Sequence, residues 1–280
     1  MMTTENKWEH VTEVLRSELK NYLQKNKLQS VVLGESGGVD SALTSALVAE
    51  VCNDLHIPFI GRSIAIETNT PAEIERANAV GESFCSDFKF VDLTLLYRQV
   101  VMFMEEDYDS SDTSKAYRLR MGNIKARLRM IYLYNLAQKY KGMVLSTDNY
   151  TEWMLGFWTL HGDVGDYDLL FGLWKTEVYE LARYVLSTLK KESQKKALLA
   201  CIDCAPTDGL GITSCDVEQF GAKNYDEVDA ALQAYVNFGL NEINPSVVAR
   251  HQTSQFKREN PVFIKRNVYF KADVSEIRNK

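Results

Sequence analysis

The chain lacks a basic excess: its 32 Lys and Arg stand against 38 Asp and Glu, a formal net charge of −6. An acidic balance of this kind argues against a broad nucleic-acid-binding face, and so against a tRNA substrate. It also lacks any apolar run of membrane-spanning length, and its first 26 residues have no apolar signal-peptide core. A cytoplasmic protein with no membrane partner is expected. Cysteine is sparse, with five in 280 residues (Cys52, Cys85, Cys201, Cys204, Cys215), too few and too odd in number for a secreted disulfide scaffold. Cys201-Ile-Asp-Cys204 has zinc-knuckle spacing, yet only Cys215 follows it, so reduced thiols are the plainer reading. There is no internal repeat and no low-complexity stretch, and the glycine turn described next lacks the Gly-Lys-Ser/Thr ending of a Walker A loop.

What is present is a 45% hydrophobic, 25% charged composition, ordinary for a folded protein with a real core. The most informative stretch is residues 31–49, VVLGESGGVDSALTSALVA. A short apolar strand runs into Ser36-Gly37-Gly38-Val39-Asp40-Ser41, and an apolar helix opens at that turn. A glycine turn at a helix N-terminus aims free backbone N–H groups and the positive end of the helix dipole at one point. Gly37 and Gly38 let a phosphate approach without a Cβ in the way, Ser36 and Ser41 add hydroxyl donors, and Asp40 can hold a metal ion. A pyrophosphate is the expected ligand. The plain alternative is an ordinary strand-to-helix turn with Asp40 as a first-turn acid.

Elsewhere the pattern alternates. Val11, Val14, Leu15, Leu19 and Tyr22 predict an amphipathic helix within residues 1–28. Strands are predicted at 31–33, 59–66, 88–93 and 143–145, with a helix opening at Thr70-Pro71-Ala72-Glu73 on capping-box spacing and a long helix over 122–140. The expected fold is one α/β domain over residues 1–280, a Rossmann-like parallel sheet with helices on both faces. Strand order is not legible. The Gly-rich segment 204–221 is either a lid over the site or a plain connector.

After the fourth strand comes Ser146-Thr147-Asp148-Asn149-Tyr150-Thr151-Glu152, a second polar turn at a carboxyl edge where ligands of open α/β sheets gather. Were the two turns adjacent, Asp40 and Glu152 could share a magnesium ion, since hard cations take carboxylate oxygens. Otherwise Glu152 is a solvated first-turn acid, and Lys175 a surface lysine at a helix start.

The SGGVDS string resembles the loop of the N-type ATP pyrophosphatases. With GNIKARLRM at 122–130, STDNYTEWMLGFWT at 146–159, Gly162-Asp163, GLWKTEVYELARYV at 172–185, APTDGLG at 205–211 and FKRENP at 256–261, the chain resembles the ammonia-dependent NAD+ synthetases, block by block and in order. The resemblance implies a homodimer that amidates deamido-NAD+ with ammonia, using ATP and Mg2+. It implies that Gly34, Ser36, Gly37, Gly38, Val39, Asp40 and Ser41 surround ATP, that Thr147, Lys175 and Thr207 contact it, and that Asp40 and Glu152 bind the metal. Asp40, Lys175 and Glu152 are then the catalytic set, and Arg127, Asp168 and Lys257 contact deamido-NAD+. Without the family, Arg118, Arg120, Lys125, Arg127 and Arg129 read as a solvated basic face opposite Ile124, Leu128, Ile131 and Leu136.

Departures fall on the dinucleotide side. Leu160 stands where the family has a substrate-contacting lysine, the acid that follows it is either Asp166 or Asp168, and Phe256 replaces a histidine. Either the substrate is held differently or a related carboxylate is used. No protein nucleophile is needed for adenylation followed by ammonia attack, and the chain has no room for an added glutaminase domain, so free ammonia is the expected donor. Two rivals stand beside this reading: an adenylating amidase for another acid, and a nucleotide-binding regulator without turnover.

Overall fold

Apolar residues of the predicted strands alternate between two hydrophobic layers. In the computed structural model, which describes residues 4–104, 112–207, 215–265 and 268, the elements run α1 (Thr4–Lys25), β1 (Val31–Gly34), α2 (Val39–Leu55), β2 (Phe59–Ala65), α3 (Pro71–Phe84), β3 (Asp87–Asp92), α4 (Thr94–Met104), α5 (Lys115–Lys139), β4 (Met143–Ser146), α6 (Tyr150–Leu155), β5 (Tyr167–Asp168), α7 (Lys175–Thr188), α8 (Glu192–Ile202), α9 (Asp216–Phe220), α10 (Tyr225–Phe238), α11 (Pro245–Thr253) and α12 (Gln255–Arg258). Val31, Leu33, Phe59, Met143 and Leu145 point into one core with α1, α2, α3, α7 and α8. Val32, Ile60, Ile64 and Val144 point into the other, with α4 and α5. This is the period of two that a pleated strand imposes, with helices on both faces as expected.

The strands form one parallel sheet in the order β3-β2-β1-β4-β5. Val31 lies opposite Phe59 on one side and Met143 on the other. From β1 the chain winds outward through β2 to β3, then returns to place β4 on the other flank. The carboxyl ends of β1 and β4 therefore bound the crevice where an open α/β sheet takes its ligands.

Helix α2 opens on that crevice. Residues 41–48 are all buried, and the helix packs against α1, α3, α7 and α8, so its apolar residues go all round rather than along a stripe. Helix α3 starts as predicted. Thr70 Oγ1 accepts from Glu73 N at 3.2 Å and Glu73 Oε2 accepts from Thr70 N at 2.8 Å, a closed capping box. A third apolar cluster, with Met154, Leu155, Val217, Phe220, Val228 and Leu232, packs α6 against α9, α10 and α11 and so anchors the turn after β4.

Three expectations shift. Of the predicted face of α1, Leu19 is buried and Val11 and Leu15 pack against the core with Trp8 and Leu23, while Val14 and Tyr22 are exposed. Helix α5 begins at Lys115, capped by Ser114, whose side chain accepts from Tyr117 N. Its basic residues are not one solvated face. Lys125 is buried and donates to Thr68 Oγ1 at 3.0 Å, and Arg129 reaches the carbonyl of Ile64 and the side chain of Asn69. Ile131, expected in the core, is exposed.

Candidate active site

The turn after β1 needs one glycine for its backbone and has a second that the backbone does not need. Gly37 sits at φ +79, and a Cβ there would lie 2.6 Å from the carbonyl of Glu73. Gly38 is extended (φ −92, ψ 166), and a Cβ on it would meet nothing nearer than Ser36 Oγ at 3.4 Å. Its bareness leaves room on the cleft side. Gly38 is also the N-cap of α2 and makes no side-chain cap bond, so the first N–H groups of α2 are left to whatever enters. Ser36 Oγ and Ser41 Oγ lie 2.9 Å apart, Gly38 N donates to Ser36 Oγ, and Ser36 N donates to Ser41 Oγ. The hydroxyls thus set the loop's shape.

The turn after β4 meets this loop. Asn149 caps α6, accepting from Glu152 N at 3.0 Å, while Glu152 Oε2 accepts from Asn149 N at 3.2 Å. The Asn149 amide also reaches across to Asp40 Oδ1 at 2.9 Å. Between the two turns lies the Lys175 ammonium, 2.5 Å from Asp40 Oδ2 and 3.1 Å from Glu152 Oε1. The side chains of Lys175, Asp40 and Glu152 are 3%, 16% and 12% exposed, which overturns the surface-lysine and solvated-acid alternatives. Burial disfavours the Lys175 charge, but the Asp40 and Glu152 carboxylates outweigh it and hold its pKa well above the usual lysine range. Burial, aided by Asp40, pushes Glu152 above the ordinary carboxylate range against the pull of Lys175.

A buried acid that sequence reasoning missed ties the two helices together. Asp229 of α10 accepts from the Thr151 hydroxyl at 2.5 Å and from Thr176 N at 2.9 Å, and Thr151 Oγ1 in turn accepts from Lys175 N at 2.8 Å. Nothing local in YDEVDAALQAY marks it. Asn149 was legible, because Asn149-x-x-Glu152 is a capping-box spacing. Tyr225 also went unread; its ring lies 5.2 Å from the Lys175 ammonium.

Asp40, Glu152 and Lys175 line a cleft of about 720 Å3 that also takes in Gly34, Ser36, Gly37, Gly38, Val39, Thr147, Thr207, Arg127 and Lys257. The Thr207 hydroxyl donates to Glu73 Oε1 at 2.7 Å; residues 208–214 of the expected lid segment lie outside the described residues. On the far side Arg127 is exposed and donates to the Leu160 carbonyl at 3.1 Å. Lys257 donates to the carbonyls of Gly156 and Trp158, and Phe256 is exposed at the rim. Ser41 and Asp168 do not line the cleft. Asp168 accepts from Leu170 N, and burial pushes it up to about 7. Asp166 is taken up by Tyr134 OH and Val144 N at the β4 edge. Asp148, raised by burial and by the charges of Asp163, Glu152 and Asp168, makes this wall acidic.

Two oxygen-donor side chains already bracket one cation, the Lys175 ammonium, and open onto a loop of bare backbone. That donor set suits a hard divalent ion whose remaining ligands are phosphate oxygens and water.

The family model described as NAD synthase matches residues 11–267. The NH3-dependent NAD+ synthetase of Thermoplasma acidophilum is 31% identical over 263 residues, 92% of this chain and 97% of that protein. That of Mycoplasma pneumoniae is 30% identical over 259 residues, 92% and 95% of the two chains. Among solved structures, the NMN synthetase of Francisella tularensis superposes with a TM-score of 0.77 at 23% identity, covering 92% of this chain and 98% of its own. The NH3-dependent NAD synthetase of Campylobacter jejuni gives 0.68 at 23% identity, covering 95% and 100%. With the family model spanning nearly the whole fold, and the glycine turn, the TDNxxE turn and Lys175 converging on one cleft, the chain belongs to the NAD synthase family.

Proposed function

We infer that this chain is an ammonia-dependent NAD+ synthetase. The observation that carries the reading is the meeting of the glycine loop after β1 with the Asp40–Lys175–Glu152 cluster in one cleft. In the reaction a carboxylate oxygen of deamido-NAD+ attacks the α-phosphorus of ATP, the bond to the bridging oxygen breaks, and pyrophosphate leaves. Ammonia then adds to the acyl carbon, the bond to AMP oxygen breaks, and nitrogen loses a proton to give the amide of NAD+. No covalent enzyme intermediate is required, which fits the absence of a role for the buried Cys52.

Gly34 to Ser41 form the pocket for ATP, and the N-terminus of α2 faces its departing pyrophosphate. Asp40 and Glu152 would hold Mg2+, which would screen the triphosphate charge. Lys175, beside both carboxylates, stabilises the charge that develops on the phosphates. Thr147 and Thr207 contact ATP, while Arg127 and Lys257 serve the dinucleotide; Asp168, which lies outside the cleft, is left out of that set. A cytoplasmic homodimer is part of this reading. Leu95, Met102, Phe103, Leu119 and Ile131 on α4 and α5 are exposed, an apolar surface suited to a second copy. A monomeric wild-type protein in sedimentation would remove that part. No helix among the described residues is long and apolar enough to cross a membrane.

The test is to supply MgATP, ammonium and a panel of pyridine and aliphatic carboxylates, and follow amide and pyrophosphate together. NAD+ formed one-to-one with pyrophosphate from deamido-NAD+ supports the reading. Turnover of nicotinate mononucleotide or another acid in preference would assign the Leu160 and Phe256 departures to a different substrate.

A further inference from the structure

Arg76, on the second turn of α3, takes no part in the machinery above, yet it is half-buried in the cleft wall beside the glycine loop. Its Nε donates to the Gly37 carbonyl at 3.0 Å. A guanidinium has five donors in a rigid fork, so most of its capacity is left over. No carboxylate of the described residues forms a salt bridge with it. The nearest candidate along its own helix, Glu73, has its two oxygens engaged by Thr70 N and the Thr207 hydroxyl. Lys175, by contrast, is matched by two carboxylates. Among the described residues on the phosphate side of the cleft, Arg76 is therefore the cation with no carboxylate paired to it.

We propose that Arg76 is a phosphate-binding catalytic residue, contacting the pyrophosphate half of ATP while holding the Gly37 carbonyl turned away from the anion. The proposal rests on the synthetase reading. A carbonyl dipole facing the phosphates would repel them, and the Nε bond fixes its direction. The remaining N–H groups of the fork suit phosphate oxygens, with which arginine makes paired charge-assisted bonds. Because negative charge grows on the leaving pyrophosphate, such a contact strengthens as the Pα–O bond breaks.

The experiment uses the full chain as wild type, Arg76→Gln and Arg76→Lys, and measures kcat, KM for ATP, and inhibition of NAD+ synthesis by added pyrophosphate and by AMP. Arg76→Gln is expected to weaken inhibition by pyrophosphate about 10- to 100-fold, the scale of a lost charge-assisted hydrogen bond, and to lower kcat, while inhibition by AMP stays near wild type. Unchanged inhibition by pyrophosphate in folded Arg76→Gln overturns the proposal. So does an equal loss for AMP and pyrophosphate accompanied by a lower melting temperature, which would make Arg76 only a strut for the loop. If Arg76→Gln does not fold, Arg76→Lys decides: one ammonium cannot hold Gly37 and phosphate with the same fork, so wild-type inhibition by pyrophosphate there overturns the proposal equally. A wild-type protein that releases no pyrophosphate at all would instead sink the synthetase reading, leaving the two failures distinct.

Discussion

Glu35, between β1 and the glycine turn, is a carboxylic acid placed where water does not reach it. It is 4% exposed. Ser45 Oγ donates to its Oε1 at 2.6 Å and Cys85 Sγ lies 3.5 Å from the same oxygen, while Oε2 has no partner. Burial outweighs both hydrogen bonds and pushes its pKa from 4.5 up to about 8. The folded protein thus keeps a proton that the unfolded chain gives up, so stability is full below the unfolded pKa and falls as pH rises through about 8. At 1.36 kcal/mol per unit, a span of roughly 2.5 units between about pH 5 and 8 is about 3 kcal/mol. Glu35→Gln removes that loss, since its amide nitrogen takes the place of the unpartnered oxygen at either pH and any cost of burying it cancels in the comparison. For a chain of 280 residues, about 3 kcal/mol corresponds to roughly 5 °C. Thermal melts of both proteins at the two pH values give the readout. The melting-temperature difference should move in favour of the variant by about that amount on going from pH 5 to pH 8. Asp148, Glu152 and Asp168 are present in both proteins and drop out. A difference independent of pH would refute the assignment of a neutral buried carboxyl at this position.

Three further substitutions separate fold from function. Gly38→Ala should melt within about 1 °C of wild type, because its Cβ meets only ordinary contact, yet raise KM for ATP at least tenfold; Gly37→Ala should lower stability by about 1–3 kcal/mol through its positive φ and the 2.6 Å approach to Glu73. Asp229→Asn, which cannot accept from both Thr151 and Thr176 as a charged group, should cost about 1–3 kcal/mol and lower kcat more than it raises KM. Melting curves beside steady-state kinetics check all three, and a Gly38→Ala protein with wild-type KM would contradict the open cradle.

How much of this was legible in the sequence depended on the range of the forces involved. The alternation of Val31, Val32 and Leu33, the Thr70–Glu73 box and the glycine turn are local, and each formed as its residues dictate. The turns that carry Asp40 and Glu152, adjacent only as a condition in the sequence, meet at Lys175 because the carboxyl edge of a parallel sheet brings its turns together once the strands are ordered. Lys175 was misjudged by its residue type alone, since lysine at a helix start is ordinarily exposed; only two facing carboxylates make its burial tolerable. Asp229, Arg76 and the inward turn of Lys125 are contacts between elements distant in sequence, and no periodicity announces them. Strand β5, two residues long, is too short to leave a pattern, and the core face of α1 holds Val11, Leu15 and Leu19 as read, with Trp8 and Thr12 in place of Val14 and Tyr22.

The central claim is that the β1 loop and the Asp40–Glu152–Lys175 cluster split ATP between its α- and β-phosphates. The most direct measurement is a single-turnover quench of wild type and Asp40→Asn with labelled MgATP, deamido-NAD+ and ammonium, resolving AMP, ADP, phosphate and pyrophosphate. The account predicts one AMP and one pyrophosphate per NAD+ from the wild type, and a folded Asp40→Asn protein that releases neither. ADP and phosphate as products, or an Asp40→Asn protein with the wild-type rate, would contradict it.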